Sequence, residues 1–212
     1  MNRMIVRQVR GSISLPRMTL LFSVLALVLA WLTGFASPAL VLDLQSQQGL
    51  SWWRWFTAHW VHSDVEHLVW NVLALFILGI LFENRLKGFY FTVIILSSLM
   101  IDVWFVLINP YYSAYCGLSG VLNAIMASGL VVYWKKSRDM VVPLILLAVV
   151  IKISVEWLIG GALFTQTTWA AVPQAHLIGL TVGVFVGMFA KTPDSQYKKG
   201  FAVIMSTGKT VS

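Results

Sequence analysis

A single cysteine, Cys116, stands in 212 residues, so the chain forms no internal disulfide; the residue carries little redox information and is expected simply to pack. Charge is equally scarce. Only 11% of residues are charged against 58% apolar, and the mean hydropathy of +0.81 exceeds that of a soluble domain of this length. No connection between the apolar runs is long enough to hold a second soluble domain, which leaves one domain. The composition is that of an integral membrane protein.

What the chain has in abundance is membrane-length apolar sequence. Runs of about 18 to 24 residues, the length that crosses a bilayer as a helix, fall at residues 18–36, 64–82, 89–108, 117–134, 140–163 and 173–190. The expected fold is an all-α membrane protein, a six-transmembrane-helix core over residues 18–190, between an N-terminal segment of residues 1–17 and a tail of residues 191–212. Phe35-Ala36-Ser37 superficially offers a signal-cleavage site, but Pro38 crowds it and removal would break the even span count. The first span is expected to be retained.

A net charge of +7 raises the question of nucleic acid, and the placement of the cations argues against it. Arg3, Arg7, Arg10 and Arg17 precede the first span; Arg85 and Lys87 follow the second; Lys135, Lys136 and Arg138 follow the fourth; Lys191, Lys198, Lys199 and Lys209 follow the sixth. These thirteen of the 15 basic residues share one side, which the positive-inside bias makes the cytoplasm. Both termini are therefore expected in the cytoplasm. Lys198-Lys199 reads as part of a solvated tail touching anionic lipid.

In that topology the second, fourth and sixth spans run inward, and His67, Asn71, Ser119 and His176 all lie near their outer, N-terminal ends. Ser63-x-x-Glu66 reads as a capping box that fixes His67 in a first helical turn, and Asn71 follows one turn later on the same face. Gly117-Leu118-Ser119-Gly120 puts a hydroxyl at a helix start, beside exposed amides and the positive end of the helix dipole. Pro173 favours a first helical turn just before His176. Gly179, Gly183 and Gly187 then form an every-fourth-residue groove in which the serine helix could pack. Each polar residue alone has an ordinary reading as a contact between helices. Together they suggest a Ser119–His176 nucleophile and base, with no third acidic orienter evident. His67, Asn71 and the backbone amides of Leu118 and Ser119 are the expected oxyanion donors.

Lys152 and Glu156, one helical turn apart, either neutralise each other or serve substrate-tail recognition or a water path. Asp102 is a further partner or a polar group near the outer surface. His59 and His62 belong in or beside the loop before the second span, and His62 has a local supporting role. The histidine intervals reproduce no familiar zinc-ligand pattern, so no metal is expected and no cofactor is required.

His62-Ser63-Asp64-Val65-Glu66-His67-Leu68-Val69-Trp70-Asn71, Gly117-Leu118-Ser119-Gly120 and Ala175-His176-Leu177-Ile178-Gly179 resemble, in family order, the signatures of rhomboid intramembrane serine proteases. Trp53-Arg54 and Glu83-Asn84-Arg85-Leu86 extend the resemblance to approximately residues 50–190. The resemblance implies a rhomboid-like six-helix bundle whose serine helix starts below the membrane surface, reached by water through a polar cavity. It also implies that residues 37–63 form a loop lying partly in the bilayer, with Trp52, Trp53 and Trp55 as interfacial anchors. The bare six-span core, the serine motif and Lys152-x-x-x-Glu156 are most similar to rhombosortases, compact bacterial relatives that cleave the C-terminal sorting tails of exported proteins. Asn123 departs from the aromatic residue or histidine often found four residues after the serine; its amide could hydrogen-bond His176.

The resulting expectation is a serine endopeptidase of the bacterial cytoplasmic membrane, active toward the periplasmic side. Its partners would be membrane-anchored protein substrates and the lipid bilayer, not nucleic acid. The alternatives are a general rhomboid protease cleaving single-span proteins, a non-catalytic rhomboid-like chaperone, which the retained Ser119 and His176 count against, and a polar transport path.

Overall fold

The computed structural model describes residues 15–45, 51–108 and 111–191. The expected tail after Lys191 and all but the last residues of the expected N-terminal segment lie outside the described residues. Five long helices, α1 (Arg17–Thr33), α3 (Val65–Leu86), α4 (Gly88–Leu107), α5 (Ser119–Ser137) and α6 (Val141–Ile159), precede a sixth, α7 (Pro173–Phe189). The loop after α1 holds a one-turn helix, α2 (Arg54–Thr57), and a two-residue strand, β1 (Leu42–Asp43), antiparallel to β2 (Ala114–Tyr115). By length and composition, α3, α4 and α6 are apolar enough to cross a membrane, while α1 and α7 are shorter apolar helices.

Several boundaries differ from the hydropathy reading, three of them for a local backbone reason. α1 ends at Thr33 because Gly34 takes a φ of 73°. α5 begins at Ser119 rather than 117, since Gly117 is held at a φ of 113° outside the helix. α6 ends at Ile159 because Gly160 turns left-handed, and the Gly160 and Gly161 amides both close on the Glu156 carbonyl.

Large apolar side chains face outward: Trp31 is 82% exposed and Leu158 85%. The polar residues Asn71, Glu83, Asp102, Glu156 and His176 are buried. This inverted distribution suits lipid surroundings and marks an integral membrane protein.

α5 is the central helix, buried from Gly120 through Val132 on most of its faces. α7 lies directly against it. A Cβ at Gly179 would collide with the Gly120 carbonyl oxygen and one at Gly183 with the Ala124 carbonyl, while at Gly187 the Ser128 carbonyl would be 2.9 Å away. The glycine groove therefore lets two backbones touch. Lys135, near the end of α5, donates to the carbonyls of Met188 at 2.7 Å and Ala190 at 2.9 Å, capping the C-terminus of α7.

α1 has no side-chain cap of its own at Pro16. Instead Glu83, near the end of α3, accepts the Met18 amide at 3.0 Å and the Thr19 amide at 2.8 Å, together with the Thr19 hydroxyl at 2.6 Å. Glu83 is thus a remote cap that also places a carboxylate at the positive end of the α1 dipole. Trp60, fully buried, stacks on Phe22 of α1 with ring centroids 4.5 Å apart, fixing the loop to the bundle.

Candidate active site

The start of α3 is capped one residue later than the expected Ser63-x-x-Glu66 box. Asp64 is the N-cap, and its Oδ1 accepts the His67 amide at 2.8 Å. Ser63 donates its hydroxyl to Asp64 Oδ2 at 2.8 Å, and its Oγ lies 3.1 Å from His67 Nδ1. Glu66 does not close the box; it accepts the Gln166 amide at 3.0 Å. The Thr168 amide and hydroxyl both donate to Asp64 Oδ2 at 2.7 Å, so the loop after α6 is fastened to the start of α3. Burial acts to raise the Asp64 carboxyl, but these donors outweigh it and hold the group well below the usual carboxylate range.

The serine turn is tied down next. The Gly117 amide donates to the Ala58 carbonyl at 2.9 Å, and the Tyr115 hydroxyl donates to the Gly117 carbonyl at 3.0 Å. A side chain at Gly117 would strike the Cε1–Nε2 edge of the His67 ring, so glycine supplies both the positive φ and the room for that imidazole. Buried Cys116, beside it, has its thiol pushed up to about 12 by burial and by the nearby Asp64 charge, which keeps it protonated and unreactive.

Ser119 Oγ lies 2.9 Å from His176 Nε2 across the α5–α7 contact, and the same side chains line a cavity of about 560 Å³. His67, Asn71, Asn123, Lys152 and Glu156 line it too. Every side chain singled out from the sequence for this chemistry thus meets at one cavity, and Leu118, the N-cap of α5, is buried. Helical hydrogen bonding begins with the Leu122 amide on the Leu118 carbonyl, so the first-turn amides have no helical acceptor. Asn71 is 5% exposed, and its Nδ2 has no partner among the described residues. A buried donor in that state on a cavity wall calls for an acceptor brought from outside.

Two expectations are corrected. A carboxylate does face the histidine: Glu156 Oε2 lies 3.0 Å from His176 Nδ1, while Oε1 is 2.7 Å from Lys152 Nζ and accepts the Leu163 amide at 3.2 Å. Lys152 and Glu156 do pair, yet Glu156 reaches beyond its own helix. Asn123 does not hold His176; its amide donates to the Ser119 carbonyl at 2.9 Å, within α5.

Outside the cavity, Asp102 is a deep partner of His59, not a surface group. His62 packs edge-on to His67 with ring centroids 4.9 Å apart. Burial, and then the neighbouring His67, push His62 down to about 3, so it stays neutral. Of the three tryptophans expected as anchors, Trp52 and Trp53 are exposed, whereas Trp55 packs partly against Leu42 and its neighbours. Among the described residues no cluster of His, Cys, Asp or Glu is arranged to hold a metal.

A family model described as Rhomboid domain matches residues 49–192. Among curated proteins, the chain is similar to a rhomboid protease GlpG of Enterobacter sp., 30% identical over 172 residues, which covers 80% of this chain and 55% of that protein. It is also similar to rhomboid protease GlpG from Klebsiella pneumoniae, 28% identical over 159 residues, 74% of this chain and 52% of the relative. The chain spans about half the length of the curated relatives it matches. With the domain model covering the whole stretch from the α2 loop to the end of α7, this chain belongs to the rhomboid family.

Proposed function

We propose that this protein is an intramembrane serine endopeptidase in which Ser119 is the nucleophile and His176 the general base. The observation that carries the reading is the 2.9 Å contact between Ser119 Oγ and His176 Nε2 on a cavity inside an outwardly apolar bundle. The names of the relatives, rhomboid protease, agree with it. In this reading α1 and α3 through α7 are six spans, with both termini cytoplasmic and the cavity toward the periplasmic face of a bacterial cytoplasmic membrane.

As the Ser119 oxygen bonds to the scissile carbonyl carbon, its proton passes to His176 Nε2 and the carbonyl electron pair moves onto oxygen. His67, Asn71 Nδ2 and the amides of Leu118 and Ser119 receive that oxyanion. The carbon–nitrogen bond then breaks as Nε2 returns the proton to the leaving amine. Water repeats the sequence on the acyl-enzyme and frees Ser119. Low dielectric around the cavity strengthens each of these dipolar contacts relative to water.

The substrate is a membrane-anchored protein whose helix unwinds at the scissile bond, and the rhombosortase-like preference is for a C-terminal sorting tail. The Lys152–Glu156 pair beside the cavity favours that preference. The test is proteolysis in lipid vesicles of a Gly-Gly-tailed membrane substrate and of a general single-span substrate. Ser119→Ala and His176→Ala serve as folded controls. Cleavage of the tailed substrate that is lost in both variants supports the full reading. Cleavage of the single-span substrate alone leaves a general rhomboid protease, and cleavage of neither by the parent points to a non-catalytic chaperone.

A further inference from the structure

We infer that Glu156 is the positioning residue of the Ser119–His176 pair, making the unit a Ser–His–Glu triad anchored by Lys152. The inference rests on the peptidase reading above and names a residue from a helix, α6, that the two-residue mechanism leaves without a part in the reaction.

The geometry separates the two carboxylate oxygens by task. Oε1 takes the Lys152 ammonium at 2.7 Å and the Leu163 amide at 3.2 Å; Oε2 faces His176 Nδ1 at 3.0 Å. Lys152 therefore holds Glu156 as a carboxylate at a site where the side chain is 2% exposed, and an isolated anion there would be costly. A carboxylate only accepts, so Nδ1 carries the hydrogen and Nε2 is left as the acceptor for the Ser119 hydroxyl, 2.9 Å away. That is the tautomer a general base requires. A pair whose sole purpose was neutralisation would need only Oε1.

Among the described residues, neither of the other two candidate partners performs this task. Asn123, one turn after Ser119, is engaged with the Ser119 carbonyl, and Asp102 is engaged with His59. During attack the serine proton moves to Nε2 and the imidazole becomes cationic beside the Glu156 anion. No proton passes to Glu156. When the carbon–nitrogen bond breaks, the Nε2 proton leaves with the amine and the ring is neutral again, still held by Oε2.

The test uses the full chain in lipid vesicles, a cleavable single-span substrate, and a fluorophosphonate to label Ser119. Glu156→Gln is expected to lower kcat by about 100- to 10,000-fold, with KM within about twofold. Glu156→Asp keeps the charge and is expected to recover much of the loss. The decisive variant is the double substitution Glu156→Gln with Lys152→Met, which removes both charges and leaves no unpaired ammonium. If the pair were only structural, kcat would return to the parent value in the double variant; a triad predicts that it stays low while the fold melts normally. Parent-like kcat in Glu156→Gln, or recovery in the double variant, overturns the inference and leaves the peptidase intact. A parent that neither cleaves nor labels at Ser119 overturns both.

Discussion

His59 Nε2 lies 3.1 Å from Asp102 Oδ1, and both side chains are fully buried. The bond joins the loop before α3 to α4, and the next backbone contact along that loop, Ala58 to Gly117, carries the serine turn. Asp102→Asn retains an acceptor and is expected to melt close to the parent. Asp102→Leu leaves the imidazole donor buried and unpaired, which costs about 1 to 3 kcal/mol. Thermal unfolding of the purified protein reads the difference, and equal melting of the two variants would remove the structural role.

Gly117→Ala combines a strained φ with a collision against His67. A displacement of about 1 Å at a reacting centre commonly costs about 100-fold in rate. Cleavage and fluorophosphonate labelling should both fall by that order, with Ser119 and His176 untouched. Labelling at the parent rate would show that the turn and the imidazole adjust freely.

The α5–α7 seam offers a graded series. Gly179→Ala places a methyl on a backbone carbonyl, which no side-chain rotation relieves, and overpacking of this kind costs about 1 to 3 kcal/mol. Because the seam sets the serine–histidine distance, activity should fall with stability. Gly161→Ala, where no atom lies within 4 Å, is the matched neutral control. A Gly179→Ala protein that melts like Gly161→Ala would mean that the helices separate at no cost.

Stability should depend on pH through His62. The folded group is depressed to about 3 from an ordinary value of 6.5, so it stays neutral while the unfolded group protonates. Its stabilisation is fully present above pH 6.5 and is lost as pH falls from there towards 3, at up to about 1.4 kcal/mol per pH unit. His62→Phe should flatten that slope. Melting temperatures of parent and variant across this window provide the comparison, and parallel curves would exclude His62 as the cause.

The meeting of Ser119 and His176 was legible because its determinants are local: a helix start at each residue and glycines at every fourth position of α7. The α3 cap was misread by one residue because two adjacent oxygens compete there, and the Asp64 carboxylate gains the Thr168 donors from a distant loop. Glu156 was visible as a partner of Lys152 at helical spacing. Its second contact was not, since it depends on α6 ending at Gly160 and on α6 lying beside α7, neither of which hydropathy records. Asn123 followed the commonest fate of a short amide in a helix, bonding to backbone one turn back.

The remote cap on α1 carries a chronology. Thr19 and Glu83 are 64 residues apart, so during synthesis the first helix is made long before its cap exists. Until the end of α3 arrives, the amides of Met18 and Thr19 must find water or lipid headgroups. α1 thus completes its own N-terminus only with a carboxylate supplied by a later helix.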